Sequence, residues 1–245
     1  NGVTAPALFI FDTEDGTISG WNPNVNGTNA ILKVDNSPAG AVYKGLAISS
    51  TNAGNFIYAT NFSAGVVEEY DKNFQPVRTF TDEKLSTDCP FEGQCFAPFG
   101  IRNIDSKLYV TYALQQPGKH DDQAGPGNGF VDIFDLNGNL LRRFAAGGTL
   151  NSPWGLALAP GNFGQFSHDL LVGNFGDGRI NAFNLQSGAF LGQVSDANGN
   201  PITIDDLWSL SFGNGHLAGP TNTLFFTAGI NDEMDGLFGT LTALS

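Results

Sequence analysis

Short apolar runs recur along the chain, and a glycine followed by alternating apolar and polar residues comes soon after each. The five runs are Leu8–Phe11, Phe56–Ala59, Leu108–Thr111, Leu170–Gly173 and Leu224–Thr227. Runs of this length, bounded by Gly, Asn and Asp, are typical of β-strands. The pattern therefore predicts a chain of many short strands.

Two further elements interleave with these runs in constant order. The first reads Gly-x-apolar-x-x-aromatic-Asx and occurs at Gly16–Asn22, Gly65–Asp71, Gly129–Asp135 and Gly178–Asn184, with a degenerate copy from Gly236. The second reads aromatic-Gly-apolar and occurs at Phe99–Ile101, Trp154–Ala157 and, with Ser for Gly, at Trp208–Leu210; Lys44–Ala47 is its first copy. Three interleaved elements at a period of about 50 residues indicate a repeat architecture.

A fourth strand-like run separates successive copies, at Ala30–Asp35, Pro76–Thr81, Leu140–Phe144 and Phe190–Val194. Four antiparallel strands in each repeat, with the aromatic-Gly element as the inner strand, predict an all-β fold: a β-propeller of four-stranded antiparallel blades. A β-sandwich is the structural alternative, but it does not repeat its sequence.

The strand count predicts five blades, of which the first and last are incomplete. The first repeat begins at its second strand and the last ends after its third, so residues 1–245 form a single propeller domain of 18 strands. Because open sheet edges are unfavourable, we expect the natural polypeptide to be longer at its N-terminus and to have six blades. The upstream segment is expected to have on the order of 80–110 residues.

The composition and net charge of the chain argue against nucleic-acid binding and membrane insertion. The chain has 32 Gly, only 14% charged residues and a formal charge of −13. An acidic surface repels phosphate, so a nucleic-acid partner is not expected. No apolar run reaches membrane-spanning length, so membrane insertion is not expected either.

Cys89 and Cys95 lie six residues apart in one Pro- and Gly-containing segment. Their spacing is not a zinc motif, and we expect a local disulfide; the alternative is two free thiols in a cytosolic protein. A disulfide favours an oxidising compartment. The sequence therefore predicts a secreted protein, extracellular or periplasmic.

Oxygen-bearing side chains recur in register before the third strand of the blades. Asp12, Asn61, Asn174 and Asp232 lie four residues before its glycine, and Asp177 lies one residue before it. Such residues suit Ca²⁺, and we treat Asn174 and Asp177 as the strongest candidates. The alternative is that each residue caps its own turn.

A second group of candidates lies at the predicted channel mouth. The third repeat carries an insertion, Gln115–Asn128, in which His120, Asp121 and Asp122 could act as a base or as ligand-binding groups. Phe99, Trp154 and Trp208 begin inner strands at the same mouth and could form an aromatic floor. The alternatives are a solvated loop and packing between blades.

Several motifs resemble one family of uncharacterised secreted proteins. They are Lys119–Asp122, Gly125–Gly129, Leu150–Pro160, Gly173–Gly178 and Asp235–Gly239. The family is often found in bacteria with PEP-CTERM-type exported proteomes, and the resemblance covers essentially the whole chain. It implies a six-bladed, NHL-like propeller with an additional N-terminal segment. The family brings no assigned activity or catalytic residue.

The sequence therefore predicts an extracellular propeller that binds a small molecule, glycan or protein through its channel mouth. A calcium-dependent, lactonase-like hydrolase is the first alternative. The absence of Glu from the in-register mouth positions argues against it, since Glu14 and Glu233 lie nearby but out of register. A structural subunit of an extracellular assembly is the second alternative.

Overall fold

The computed structural model describes residues 2–87 and 89–243. Its strands form five separate antiparallel sheets, each made of consecutive strands. The sheets are arranged as the blades of a propeller, which confirms the predicted fold class.

Blade 1 and blade 5 have three strands each. Blade 1 consists of β1 (Phe9–Asp12), β2 (Thr17–Trp21) and β3 (Ile31–Asp35). Blade 5 consists of β16 (Leu207–Phe212), β17 (Thr223–Ala228) and β18 (Leu237–Thr242).

Blades 2, 3 and 4 have four strands each. Blade 2 consists of β4 (Tyr43–Thr51), β5 (Gly54–Asn61), β6 (Val66–Asp71) and β7 (Pro76–Phe80). Blade 3 consists of β8 (Phe96–Ile104), β9 (Lys107–Leu114), β10 (Gly129–Asp135) and β11 (Leu140–Ala146). Blade 4 consists of β12 (Pro153–Leu158), β13 (Leu170–Asn174), β14 (Ile180–Phe183) and β15 (Phe190–Gln193).

Helical structure in the described residues is confined to three short segments in the connections. These are a 3-10 turn at Ser37–Ala39, the helix α1 at Glu83–Thr87 and a 3-10 turn at Gly164–Phe166. Across the part of the chain that the structure describes, no helix is long and apolar enough to cross a bilayer.

Blades 1 and 5 are each one strand short, as the sequence repeat predicts. Blade 1 begins at the second strand of the repeat, and blade 5 ends at the third. Within residues 2–87 and 89–243, no strand of blade 5 pairs with a strand of blade 1. The sixth blade and the upstream segment stay predictions.

Each inner strand has a bulge at the aromatic-Gly element. The register between inner and second strand shifts at Tyr43/Gly45, Pro98/Ile101, Pro153/Gly155 and Leu207/Leu210. Bulges redirect the side chain of the extra residue. We infer that the bulge redirects the side chain at the start of four inner strands, namely those of Lys44, Phe99, Trp154 and Trp208.

The apolar core lies between the blades. Four clusters of buried side chains fill the successive blade-to-blade interfaces, from blades 1 and 2 through to blades 4 and 5. A fifth cluster lies at the mouth of the channel and contains Phe62, Ala97, Phe99 and Ala113. Because successive side chains of a strand point to opposite faces of its sheet, a strand contributes side chains to the interfaces on both sides of its blade.

Cys89 and Cys95 form a disulfide, with their Cα atoms 4.2 Å apart. The bridge lies in the connection between β7 and β8, which confirms the predicted pairing. Gln94 and Cys95 both bond to Gln115, at the start of the insertion, through Gln94 Nε2 to Gln115 O (3.1 Å) and Gln115 N to Cys95 O (2.9 Å). The disulfide loop therefore lies against the base of the insertion.

Candidate functional site at the channel mouth

An aromatic layer closes the channel mouth. The Phe99 side chain is fully buried, and its ring centroid lies 5.2 Å from that of Phe62 and 5.7 Å from that of Trp208. Trp154 meets Trp208 edge to face at 5.3 Å, and Phe175 lies 4.6 Å from Trp208. Packing thus accounts for Phe99, while Trp154 and Trp208 remain partly exposed.

Two cavities lie on either side of this layer. The mouth pocket, about 320 Å³ in volume, is lined by residues that include Lys44, Asp121, Asp122, Phe175, Trp208 and Glu233. The channel cavity, about 270 Å³, lies farther along the inner strands and has Trp154 in its wall. The Trp154–Trp208 pair therefore separates the two cavities.

The insertion folds as a small hairpin over the mouth. Gln115 pairs with Asp122, and the Gln116 amide donates to the Asp121 carbonyl at 2.9 Å. This brings Asp121 and Asp122 to the mouth pocket. His120 lies on the outer side, exposed, with Nδ1 2.8 Å from Asp121 Oδ1.

Lys44 connects three parts of the mouth. Its side chain is only 5% exposed, and Nζ forms an ion pair with Glu14 and lies 3.6 Å from Asp121 Oδ1. Its carbonyl accepts a 2.7 Å hydrogen bond from Trp154 Nε1. The Lys44 ammonium thus joins the loop after β1 to the insertion above the aromatic layer.

The two insertion carboxylates have opposite pKa shifts. Burial raises the pKa of Asp121, but the His120 hydrogen bond and the Lys44 charge outweigh burial, and the net shift is downward. Burial raises the pKa of Asp122 more than its contact with Ser152 lowers it, and among the described residues its buried Oδ2 atom has no hydrogen-bond partner. Carboxyls with pKa values moved apart in one pocket are typical of functional sites.

A hydrogen bond to Glu233, at the rim of the mouth pocket, fixes the Trp208 side chain. Its Nε1 donates a 2.6 Å hydrogen bond to Glu233 Oε1. Glu233 belongs to a run of three residues with positive φ, Asn231, Asp232 and Glu233. This turn brings Glu233 to the pocket although it lies outside the register of the repeat.

The predicted calcium ligands mainly bond to their own turns. Asn61 Oδ1 accepts from the Ala64 amide (3.2 Å), and Asp177 Oδ1 accepts from the Arg179 amide (3.2 Å) and from Asn174 Nδ2 (2.9 Å). Asn174 Nδ2 also donates to the Thr149 carbonyl at 2.8 Å. Asn174 Oδ1 is buried, with no hydrogen-bond partner in the part of the chain that the structure describes.

The other two predicted ligands differ from these. Asp12 ends β1, and its buried Oδ2 has no hydrogen-bond partner within residues 2–87 and 89–243. Burial raises the pKa of Asp12 to about 6. Asp232 is exposed. Throughout residues 2–87 and 89–243, no group of three or more His, Cys, Asp or Glu side chains is arranged to hold a metal. The calcium site stays a prediction.

Sequence reasoning missed three residues of the mouth pocket: Lys44, Phe175 and Glu233. Lys44 had a recognisable signal, because it occupies the position that is aromatic in the other three copies of its element. Phe175 and Glu233 lie in loops between the second and third strands, each one residue after a position that the register had singled out, Asn174 and Asp232.

No family model matches the chain. Uncharacterised proteins of Acanthamoeba polyphaga mimivirus are similar to it. One is 34% identical over 98% of this chain and 58% of its own length, and a second is 34% identical over 95% and 42%. A third is 32% identical over 98% and 62%. The chain therefore spans about half the length of these curated relatives.

Solved propellers resemble the fold at low sequence identity. A putative gluconolactonase is 16% identical, with a TM-score of 0.55 over 94% of this chain and 71% of its own. A gluconolactonase from Xanthomonas campestris is 16% identical, with a TM-score of 0.54 over 89% and 78%. A chain of the COPII coat is 13% identical, with a TM-score of 0.56 over 98% and 32%. These likenesses establish a β-propeller, and at such identities they establish the fold alone.

Proposed function

We propose that this propeller binds a neutral, polyhydroxylated ring, as found in sugars and their lactones, in the mouth pocket. The observation that carries the proposal is the position of Trp208, an indole fixed by Glu233 beside Lys44, Asp121 and Asp122. A sugar ring has an apolar C–H face and a rim of hydroxyls. An indole face matches the first and charged groups match the second.

The size and charge of the pocket support this class. A volume of about 320 Å³ lies within the range of small-molecule sites. Three carboxyl groups, those of Asp121, Asp122 and Glu233, line the pocket against the ammonium group of Lys44. Glu14 adds a further carboxylate beside Lys44. The acidic excess disfavours phosphorylated or carboxylated ligands.

Hydrolysis of a sugar lactone at the same pocket is the second candidate. The observation that favours it is Asp122, whose pKa is raised by burial and whose Oδ2 has no hydrogen-bond partner among the described residues. Asp122 would take a proton from water as the water oxygen attacks the lactone carbonyl, and would return it to the ring oxygen as the ester C–O bond breaks. The products are one hydroxy acid and the unchanged enzyme.

We further propose that the protein works in an oxidising, extracytoplasmic compartment as a secreted protein. The Cys89–Cys95 disulfide supports this location. Detection of the bridge in protein isolated from its natural source would test it.

Calorimetric titration with a panel of neutral saccharides and lactones tests the binding proposal. We expect at least one ligand to bind, and we expect Trp208→Leu to weaken it tenfold or more, a loss of about 1.4 kcal/mol. Trp21→Leu is the matched control, since Trp21 lies on β2 in blade 1, against Phe9. Equal weakening in both variants, or no binding in the panel, would contradict the proposal.

Product formation separates the two candidates. Lactone turnover that is lost in Asp122→Asn, with binding retained, would favour the hydrolase. Binding without turnover would favour the binding protein.

A further inference from the structure

Arg102 lies in the channel cavity on the side of the aromatic layer away from the mouth pocket. It stands on the inner strand β8 of blade 3 and reaches across to blade 5. Its Nη1 donates to the Leu210 carbonyl at 2.8 Å, and its Nη2 donates to Ser211 Oγ at 3.3 Å. The guanidinium thus crosses the channel.

Arg102 has no counter-ion within the described residues. No carboxylate lies within ion-pair distance of it, although acidic residues outnumber basic ones by 24 to 11. Burial alone lowers the pKa of Arg102, with no neighbouring charge contributing. A desolvated cation without a counter-ion is unfavourable.

The guanidinium retains unused donors. It carries five N–H groups, and two hydrogen bonds to protein acceptors account for two of them. The geometry of a guanidinium suits the two oxygens of a carboxylate.

The rest of the cavity wall is largely aliphatic. Leu46, Ile48, Ile101, Leu156 and Leu210 line it around Arg102. Ile48 is 55% exposed, so the cavity opens to solvent beside it. The cavity therefore combines one cation with an apolar enclosure of about 270 Å³.

We propose that the channel cavity binds a small carboxylate with an apolar body, whose carboxylate pairs with the Arg102 guanidinium. The apolar body lies against the aliphatic wall. This site is separate from the mouth pocket and does not rest on the function proposed for it.

Thermal unfolding in the presence of benzoate tests the site, with benzamide as the uncharged analogue and sulfate as an anion without an apolar body. We expect a saturable rise in Tm of about 3–6 °C with benzoate at ten times its Kd, and less than half that rise with either comparison compound. No rise with benzoate, or an equal rise with benzamide or sulfate, would overturn the proposal.

Two variants test whether the benzoate-induced rise in Tm depends on Arg102. Arg102→Met should abolish the benzoate shift. Arg142→Met, the matched control, should retain it, because Arg142, like Arg102, donates to main-chain carbonyls (Leu185 O and Gln186 O) but lies on the outer strand β11. Retention of the shift in Arg102→Met would overturn the proposal.

Ile48→Glu provides a test that does not remove Arg102. Because Ile48 is exposed, we expect the variant to fold, and its carboxylate would compete with benzoate at the cavity entrance. We expect a benzoate shift reduced by at least half, and an unchanged shift would count against the site.

Discussion

A Cβ atom on Gly100 would lie 2.2 Å from the carbonyl oxygen of Trp154, in the inner strand of the next blade. The same relationship holds between Gly155 and Trp208 at 2.6 Å and between Gly45 and Phe99 at 3.0 Å. Each repeated glycine therefore lets one inner strand approach the bulged residue of the next. The glycine of one blade and the aromatic residue of the next blade therefore contact each other at each of these interfaces.

Substitution of these glycines by alanine should destabilise the protein in the order of their contacts. We expect Gly100→Ala to lower the free energy of unfolding by about 2–3 kcal/mol, Gly155→Ala by less, and Gly45→Ala by the least. The measurement is urea unfolding. Gly118→Ala is the control, because no atom lies within 4 Å of its added Cβ; an equal loss in that variant would contradict the contact.

Asp12 should make stability depend on pH. Burial raises its pKa from 3.8 to about 6. Between these values the folded state binds more protons than the unfolded state, so the free energy of unfolding falls as pH rises from about 4 to 6.

Asp12→Asn removes this titration, and we expect the variant to be more stable than the parent by about 1–3 kcal/mol at pH 7, with the difference vanishing below pH 4. Urea unfolding across this pH range measures it. Asp205→Asn, at an exposed position, is the control; parallel pH profiles for parent and Asp12→Asn would contradict the assignment.

Removal of the disulfide should lower stability modestly, because Cys89 and Cys95 close a small loop. We expect the double variant Cys89→Ser/Cys95→Ser to lose about 2 kcal/mol on the chain-entropy model. Reductant should lower the Tm of the parent and leave that of the double variant unchanged. Alkylation before mass analysis should label no thiol in the unreduced parent; two labelled cysteines would contradict the bridge.

Asn174 distinguishes turn capping from calcium binding. Loss of its bonds to Thr149 and Asp177 should cost about 1–2 kcal/mol in Asn174→Ala. If turn capping is its whole role, the loss is equal in calcium and in chelator. A calcium-dependent Tm in the parent that is absent from Asn174→Ala would instead support the predicted cation site.

The propeller could be predicted because the same packing requirement recurs in each blade. Every inner strand must approach its neighbour, which selects Gly45, Gly100 and Gly155 at one position of the repeat. The strand count and the incomplete first and last blades followed from the same elements.

The mouth pocket could be predicted only in part. Its aromatic residues belong to the repeat, and Asp121 and Asp122 belong to a recognisable insertion. Glu233 reaches the pocket through three consecutive positive-φ residues, a backbone choice that residue spacing does not reveal. The Lys44 pairing with Glu14 joins β4 of blade 2 to the loop after β1 of blade 1, 30 residues earlier, and the packing of the two neighbouring blades brings them together.

Tryptophan fluorescence tests the central claim, ligand binding at the mouth pocket, most directly. The chain has three Trp residues, and Trp21→Phe leaves only the Trp154–Trp208 pair of the aromatic layer. On titration of this variant with the saccharide or lactone that binds best, we predict a saturable change in emission whose midpoint matches the calorimetric Kd. Calorimetric binding without any change in emission would place the ligand away from Trp208 and would contradict the account.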